Sequence, residues 1–390
     1  MKIILAIDIR PLVGPLIGPL AGAKTGIGEY VERLCSALDD HEDVQVVRFS
    51  NSLKSARTLP LLVHSPRVHM RFPNRALDLA VRFFSVPKFD DIVAAKTRIQ
   101  PHVWLSPHII SAPLRTARKI VIVHDCSFLF PHFFSLRKRY WHWSMNIAKT
   151  LADAEVIVAV SEHTKQELRA HFPHISTTIR VIPPGIDPLF LSDPSPHDHA
   201  PIRTRYRLPE HFILFLGTIE PRKNIRAILS AYNILADTCR EDLVIAGGLG
   251  WRTGMIRREV QHHRMAHRIH LIGYVDAHDK QNVYRLARTF VYPSWYEGFG
   301  FPPLEALACG IPVITSHATS LPEVVRNYGV VVDPQDAHDL ARGIAMTLYD
   351  EHYRIRCARE GQRYARQFSW EKTANEFVTL IEEVLRTNHS

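Results

Sequence analysis

Residues 294–310 read Ser-Trp-Tyr-Glu-Gly-Phe-Gly-Phe-Pro-Pro-Leu-Glu-Ala-Leu-Ala-Cys-Gly. They follow the apolar run Phe290–Tyr292, which reads as a buried strand, and enter a segment of helical spacing that stops near Gly310. Pro302 and Pro303 suit a first helical turn, where an amide needs no intrahelical partner. Gly298 and Gly300 let the backbone turn sharply and come close to a ligand. Strand, glycine turn and helix in this order form the repeating unit of a parallel sheet with crossover helices.

The same alternation extends in both directions. Upstream strands are expected at Ile3–Ile7, Val44–Phe49, Val103–Leu105, Ile120–Val123, Val156–Val160 and Arg180–Ile182. Downstream ones fall at Phe212–Leu216, Leu243–Ala246, Ile269–Ile272, Thr289–Val291 and Val313–Thr315. Helical spacing marks Tyr30–Leu38, Leu136–Ala152, His163–His171, Ile225–Asp237, Gln281–Ala287 and Ala337–Tyr349, with a last helix from Ser369-Trp370-Glu371 to about Leu385. Pro183-Pro184-Gly185-Ile186-Asp187-Pro188 and the polar stretch holding Pro194, Pro196 and Pro201 have no periodicity and read as a linker. The expectation is α/β, with one domain over 1–187, a second over 188–370, and a last helix over 371–390.

Composition narrows the function. The chain has 390 residues, 46% of them apolar, enough for two cores. No apolar stretch is long enough to span a bilayer, and the opening run is too short for a signal-peptide core. Five scattered cysteines argue against a disulfide framework or zinc site and for a reducing, cytoplasmic setting. The net charge of +9 is uneven: residues 1–185 hold 24 Lys+Arg against 15 Asp+Glu, and the remainder is balanced. A basic half suits an anionic partner, or is merely a solvated face. Leu136-Arg137-Lys138-Arg139-Tyr140-Trp141-His142-Trp143 mixes cations with aromatics, as peripheral contact with an anionic membrane requires; an aromatic pair facing the core explains it equally well.

The loop itself suggests chemistry. A glycine turn feeding a helix N-terminus seats pyrophosphate, and Glu297 and Glu305 bracket that seat. Glu297 can meet sugar hydroxyls, and Glu305 can accept from a ribose diol. The plain alternative is a strand–turn–helix whose acids only cap it. After the strand Phe212–Leu216, Gly217-Thr218-Ile219-Glu220-Pro221-Arg222-Lys223-Asn224 offers two cations that can neutralise a leaving diphosphate.

Glu-x7-Glu followed by Ala-Leu-Ala-Cys-Gly-Ile-Pro-Val-Ile-Thr resembles the donor signature of retaining family 4 glycosyltransferases, of GT-B fold, in a bacterial mannosyltransferase-like branch. The resemblance implies two Rossmann-like domains around a cleft, the C-terminal helix crossing back to the first. It implies phosphate contact by Arg222 and Lys223, a role for His124 (at the end of Ile120–Val123) near the transferred sugar, and Glu297 supporting positive charge. Donor binding is carried over to Gly26 and Gly28 in a glycine-rich loop, Gly217, Thr218, Tyr274 and Val275, with Gly247-Gly248-Leu249-Gly250-Trp251 on the same side. Gly298, Phe299, Gly300, Phe301, Leu304 and Glu305 complete it. Thr218 stands where many members have Arg. Asp125, Ser161 and the Gly185–Asp187 turn are read as structural.

The implied reaction moves a hexose, best matched by mannose from GDP-mannose, to a glycan or lipid-linked acceptor in surface polysaccharide synthesis. Configuration is retained, and neither metal nor cofactor takes part. A nucleotide-sugar epimerase of the same fold and a basic nucleic-acid-binding protein are the alternatives, with a two-carboxylate glycosidase behind them. The second lacks a zinc pattern or RNA-binding aromatic motif, so no nucleic-acid partner is expected.

Overall fold

The computed structural model describes residues 2–12, 26–53, 65–130, 146–192, 199–250 and 253–387. The chain divides into two compact units, residues 1–185 with 370–390, and 186–369.

The first unit holds a parallel sheet of seven strands: β1 (Ile3–Asp8), β2 (Val44–Asn51), β3 (Arg67–Met70), β4 (Val103–Ser106), β5 (Arg118–Val123), β6 (Val156–Ala159) and β7 (Thr178–Val181). Their spatial order is β3-β2-β1-β4-β5-β6-β7. The central strands are buried on both faces, so they read as continuous apolar runs rather than alternating ones. One face is filled by Phe49, Phe89 and Trp104, with ring centroids 4.8–5.7 Å apart. Val121, Val123, Ile157 and Leu168 belong to a second cluster.

The helix Trp370–Arg386 belongs to this unit and packs on the helix Gly26–Asp39. Phe377, Ile381 and Val384 recur at helical spacing and are buried. Trp370 meets Tyr30 edge-on at 5.2 Å, Thr373 donates to the Pro183 carbonyl at 2.9 Å, and Arg180 pairs with Glu383 at 2.7 Å.

The second unit has six parallel strands: β8 (Phe212–Leu216), β9 (Asp242–Ala246), β10 (Ile269–Gly273), β11 (Thr289–Tyr292), β12 (Val313–Ser316) and β13 (Val330–Val332). They are ordered β10-β9-β8-β11-β12-β13. The order reverses between β8 and β11, and open sheets of this kind bind ligands beyond the carboxyl ends of the strands at such a point.

The reading of residues 183–201 as a featureless linker needs correction. Asp187 caps a short 3-10 turn, Pro188–Leu191, whose Phe190 is buried, and a helix runs over His199–Tyr206. Pro201 fits because it lies in the first turn, where its missing amide costs nothing. Residues 193–198 lie outside the described residues. Gly26 and Gly28, read as loop, form the first turn of the helix Gly26–Asp39. Strands β3 and β13, absent from the sequence reading, are each one edge of their sheet, with β7 and β10 at the opposite edges.

Candidate active site

The reversal point of the second unit gathers the strongest chemistry. Beyond β8, Gly217–Glu220 lead into one 3-10 turn, Pro221–Lys223, before the helix Ile225–Ile234. Asn224 ends that turn in the left-handed region, at φ 56°, with its side-chain amide tied to the Pro334 carbonyl at 2.8 Å. The turn aims Arg222 and Lys223 at the loop beyond β11. Lys223 Nζ donates to Glu297 Oε1 at 2.5 Å and to the Tyr292 hydroxyl at 2.6 Å. Arg222 donates through Nη1 to Glu297 Oε2 at 3.1 Å and to the Tyr296 carbonyl at 2.6 Å. Its Nε and Nη2 reach Glu220 Oε1 at 3.1 and 2.9 Å.

Two cations are thus set against two carboxylates. Burial by itself would push the Glu297 carboxyl up, but the charges of Arg222 and Lys223 outweigh it and draw the group down to about 2. Burial, helped by Arg222, lowers the Lys223 ammonium against the pull of Glu297. At neutral pH Glu297 is therefore a carboxylate: it can accept hydroxyl hydrogen bonds and face positive charge, and it has no proton to give.

The loop is held from a second side. Glu297 N donates to Thr319 Oγ1 at 2.9 Å, and Ser320 Oγ lies 2.7 Å from the Phe299 carbonyl and 3.0 Å from that of Glu297. Ser316 Oγ donates to the Ser294 carbonyl at 2.6 Å. This leaves the amides of Phe299, Gly300 and Phe301 without a partner among the described residues. Gly300, at φ 114°, turns the chain into the helix Phe301–Ala308.

The expected amide-rich helix end is altered in one respect. Pro302 and Pro303 have no N–H, and the Leu304 amide donates to the Gly300 carbonyl at 3.3 Å. The open donors are therefore in the turn, at Phe299 and Gly300, and at the first helical residue, Phe301. Leu304 and Phe299 have buried side chains and support the turn from inside. Gly298 is buried, and Phe301 meets the Phe299 ring edge-on at 5.4 Å.

Glu305 is also buried, its Oε2 accepting from the Tyr284 hydroxyl at 2.8 Å. On the other side of β8, Gly247 lies at φ 139° with its backbone against Gly217: a methyl group on it would stand 1.9 Å from the Gly217 oxygen. Gly247 N donates to the Gly273 carbonyl at 2.7 Å, so the loops beyond β8, β9 and β10 form one ledge. Tyr274 is exposed beyond it, Val275 is buried, and Thr218 is exposed. Trp251 lies outside the described residues, as does Leu136–Trp143.

In the first unit His124 directly follows β5. Its Nε2 lies 2.7 Å from the Pro107 carbonyl, which can only accept, so Nε2 carries the proton and Nδ1 is left as an acceptor. Burial lowers its pKa, and the ring is neutral at pH 7. Tyr30 meets it edge-on at 4.7 Å, on the same helix as Gly26 and Gly28. Asp125 Oδ1 accepts from Ser127 N at 3.0 Å and Ser161 Oγ from Thr164 N at 3.1 Å; both are local caps. Among the described residues all five cysteines are buried thiols.

The model for glycosyl transferases group 1 matches residues 202–364, and that for glycosyltransferase family 4 matches residues 24–189. The O-antigen chain mannosyltransferase B of Escherichia coli is 34% identical over 269 residues, 68% of this chain and 70% of that protein. This chain belongs to the GT-B glycosyltransferases. The serotype-specific mannosyltransferase WbdA of Escherichia coli is 31% identical over 63% of this chain, which spans only 31% of that longer protein. The fold matches sucrose-phosphate synthase from Thermosynechococcus elongatus with a TM-score of 0.76 at 21% identity, covering 98% of this chain and 99% of that one.

In this glycosyltransferase the sequence singled out Glu297, Arg222 and Lys223, which the structure brings together, but not the side chains that hold them. Ser316, Thr319 and Ser320 follow β12, and Tyr284 and Tyr292 lie on elements that read as core. Only the hydroxyl-rich Thr315–Ser320 segment beyond a strand end was a visible signal, and nothing in it names its partners.

Proposed function

We propose that this glycosyltransferase transfers mannose from GDP-mannose, with retention of configuration and without a metal, to a glycan or lipid-linked acceptor of a bacterial surface polysaccharide. The observation that carries this reading is the ionised Glu297, held by Arg222 and Lys223 at the β8/β11 reversal beside three amides with no partner among the described residues. The amides of Phe299–Phe301 and the Lys223 ammonium are the groups assigned to the diphosphate. Fixed dipoles and a cation aimed at a leaving group's growing charge need no reorganisation during reaction. Glu297 is assigned to the transferred sugar, as hydroxyl acceptor and as counter-charge to the developing cation. Glu305 is assigned to the ribose. Neutral His124, with Nδ1 open to a hydroxyl, is the first unit's contribution to the transferred sugar. Mannose is favoured by the mannosyltransferase relative aligned over two-thirds of the chain.

The test is a thermal-shift and calorimetry panel of GDP, UDP and dTDP with their sugars, followed by product analysis. GDP-mannose at 100 times its dissociation constant should stabilise the protein by about 2.7 kcal/mol. Glu305→Ala should weaken nucleotide binding, whereas Glu297→Ala should mainly slow turnover. Anomeric coupling constants of the product report retention. Conversion of the donor to a rearranged sugar with no acceptor present would establish an epimerase instead, and preference for a UDP-sugar would remove the GDP-mannose assignment.

A further inference from the structure

The last helix of the chain reaches His124 through two aromatic rings. Tyr30, on the helix Gly26–Asp39, is only 1% exposed, and its ring meets two others edge-on. The His124 ring lies 4.7 Å away at 85°, and the Trp370 ring 5.2 Å away at 79°. Trp370 is where the chain re-enters the first unit, and it opens the helix Trp370–Arg386. Its position is set by the turn that follows. Thr373 holds the Pro183 carbonyl, and Ala374 and Phe377 are buried on the same side of the helix.

What this contact can give His124 is an orientation. The bond from Nε2 to the Pro107 carbonyl, 2.7 Å long, anchors the far end of the ring. It leaves the plane loosely defined, because torsion about Cβ–Cγ in histidine has broad minima. A twist about that axis turns Nδ1 aside and stretches the Nε2 bond little. A second ring standing almost at right angles to the imidazole opposes the twist, and the edge-on contact is itself favourable. Tyr30 can act in this way only if it is immobile, which its burial and Trp370 ensure.

The Tyr30 hydroxyl has no share in this. It is sealed from solvent and has no hydrogen-bond partner among the described residues. A polar atom buried in that way costs stability and is closed to any bound sugar. The ring is therefore the part that serves. We propose that Tyr30, backed by Trp370, is a positioning residue for glycosyl transfer, fixing the plane of the His124 ring so that Nδ1 faces the transferred sugar. This rests on the assignment of His124 to that sugar, and it brings the helices Gly26–Asp39 and Trp370–Arg386 into the reaction.

The test combines turnover of the full chain with GDP-mannose and octyl α-mannoside as acceptor probe, calorimetric binding of GDP, and NMR of isotope-labelled histidine. Tyr30→Leu should lower kcat at least about tenfold, with the GDP dissociation constant within about twofold of wild type. Tyr30→Phe keeps the ring, so it should restore kcat to within about twofold and melt no lower than wild type. Should Tyr30→Leu not fold, Trp370→Leu carries the same test, with a loss of at least about fivefold. The double variant His124→Ala/Tyr30→Leu should be no slower than His124→Ala, because the tyrosine acts through the histidine. The NMR arm needs no turnover: the His124 signals, identified by their loss in His124→Ala, should shift or broaden at Nδ1 in Tyr30→Leu and stay in place in Tyr30→Phe. A Tyr30→Leu variant with wild-type kcat or an undisturbed Nδ1 signal would overturn the proposal. So would a tenfold loss in Tyr30→Phe, which would give the role to the hydroxyl, or a double variant slowed by both factors in full. Wild-type turnover in His124→Ala would instead remove the role of His124 itself, and this one with it.

Discussion

Replacing Glu297 by Gln keeps the shape of the loop and removes the charge that balances Arg222 and Lys223. The magnitude follows from the carboxyl's position. A group drawn from 4.5 to about 2 contributes about 3 kcal/mol at pH 7, at roughly 1.4 kcal/mol per pH unit. Breaking a buried ion pair by removing one partner costs a similar 3–5 kcal/mol or so, because a buried cation loses its counter-charge. For a unit of this size about 3 kcal/mol lowers the melting temperature by roughly 6–12 °C. Because the folded pKa is depressed, the contribution is complete above about pH 4.5 and is lost as pH falls toward 2. At pH 3.5 roughly 1.4 kcal/mol of it is gone. Calorimetric unfolding of wild type and Glu297→Gln should therefore show a wide gap at pH 7, unchanged to pH 5 and narrower at pH 3.5. A variant melting within 2 °C of wild type at pH 7, or a gap indifferent to acid, would refute the claim that this carboxylate is held ionised by its two cations.

Further outcomes follow from individual contacts. Tyr284→Phe removes the donor on Glu305 Oε2, so stability should fall by about 1–3 kcal/mol and calorimetry should show weaker nucleotide binding. Gly247→Ala brings a methyl group to 1.9 Å from the Gly217 oxygen and should abolish soluble expression or nucleotide binding. Gly273→Ala, at φ 76° in open space, should cost only about 1 kcal/mol in chemical unfolding. His124→Ala should slow transfer by roughly 100-fold with the nucleotide dissociation constant unchanged. Burial lowers the His124 pKa, so any loss of rate caused by its protonation should set in below its ordinary value of 6.5. Gly26→Ala adds a methyl group that meets nothing within 4 Å among the described residues. It should gain up to about 1 kcal/mol of stability, and a large rise in donor KM in the same variant would place the donor against that turn.

The amino-acid sequence determined the class of fold and where its strongest chemistry falls. Central strands such as Phe212–Leu216 and Ile120–Val123 are covered on both faces, so burial alone writes them as apolar runs. The turn at Gly298–Gly300 is legible because glycine and Pro302-Pro303 each answer to a local backbone demand. Strands β3 and β13 escaped because partial exposure leaves Arg67–Met70 mixed in character and Val330–Val332 spans only three residues. The helix Asn74–Phe84 is also absent from the sequence reading, although Arg75, Asp78 and Arg82 recur on one side of it at helical spacing. What the tertiary structure decided was pairing. Arg222 and Lys223 lie some 75 positions from Glu297, and Thr319 and Ser320 more than 20. No local propensity encodes which hydroxyl or cation will meet a given carboxylate. That choice is made where the strand order reverses, because only there do the ends of β8 and β11 come side by side with no helix crossing between them.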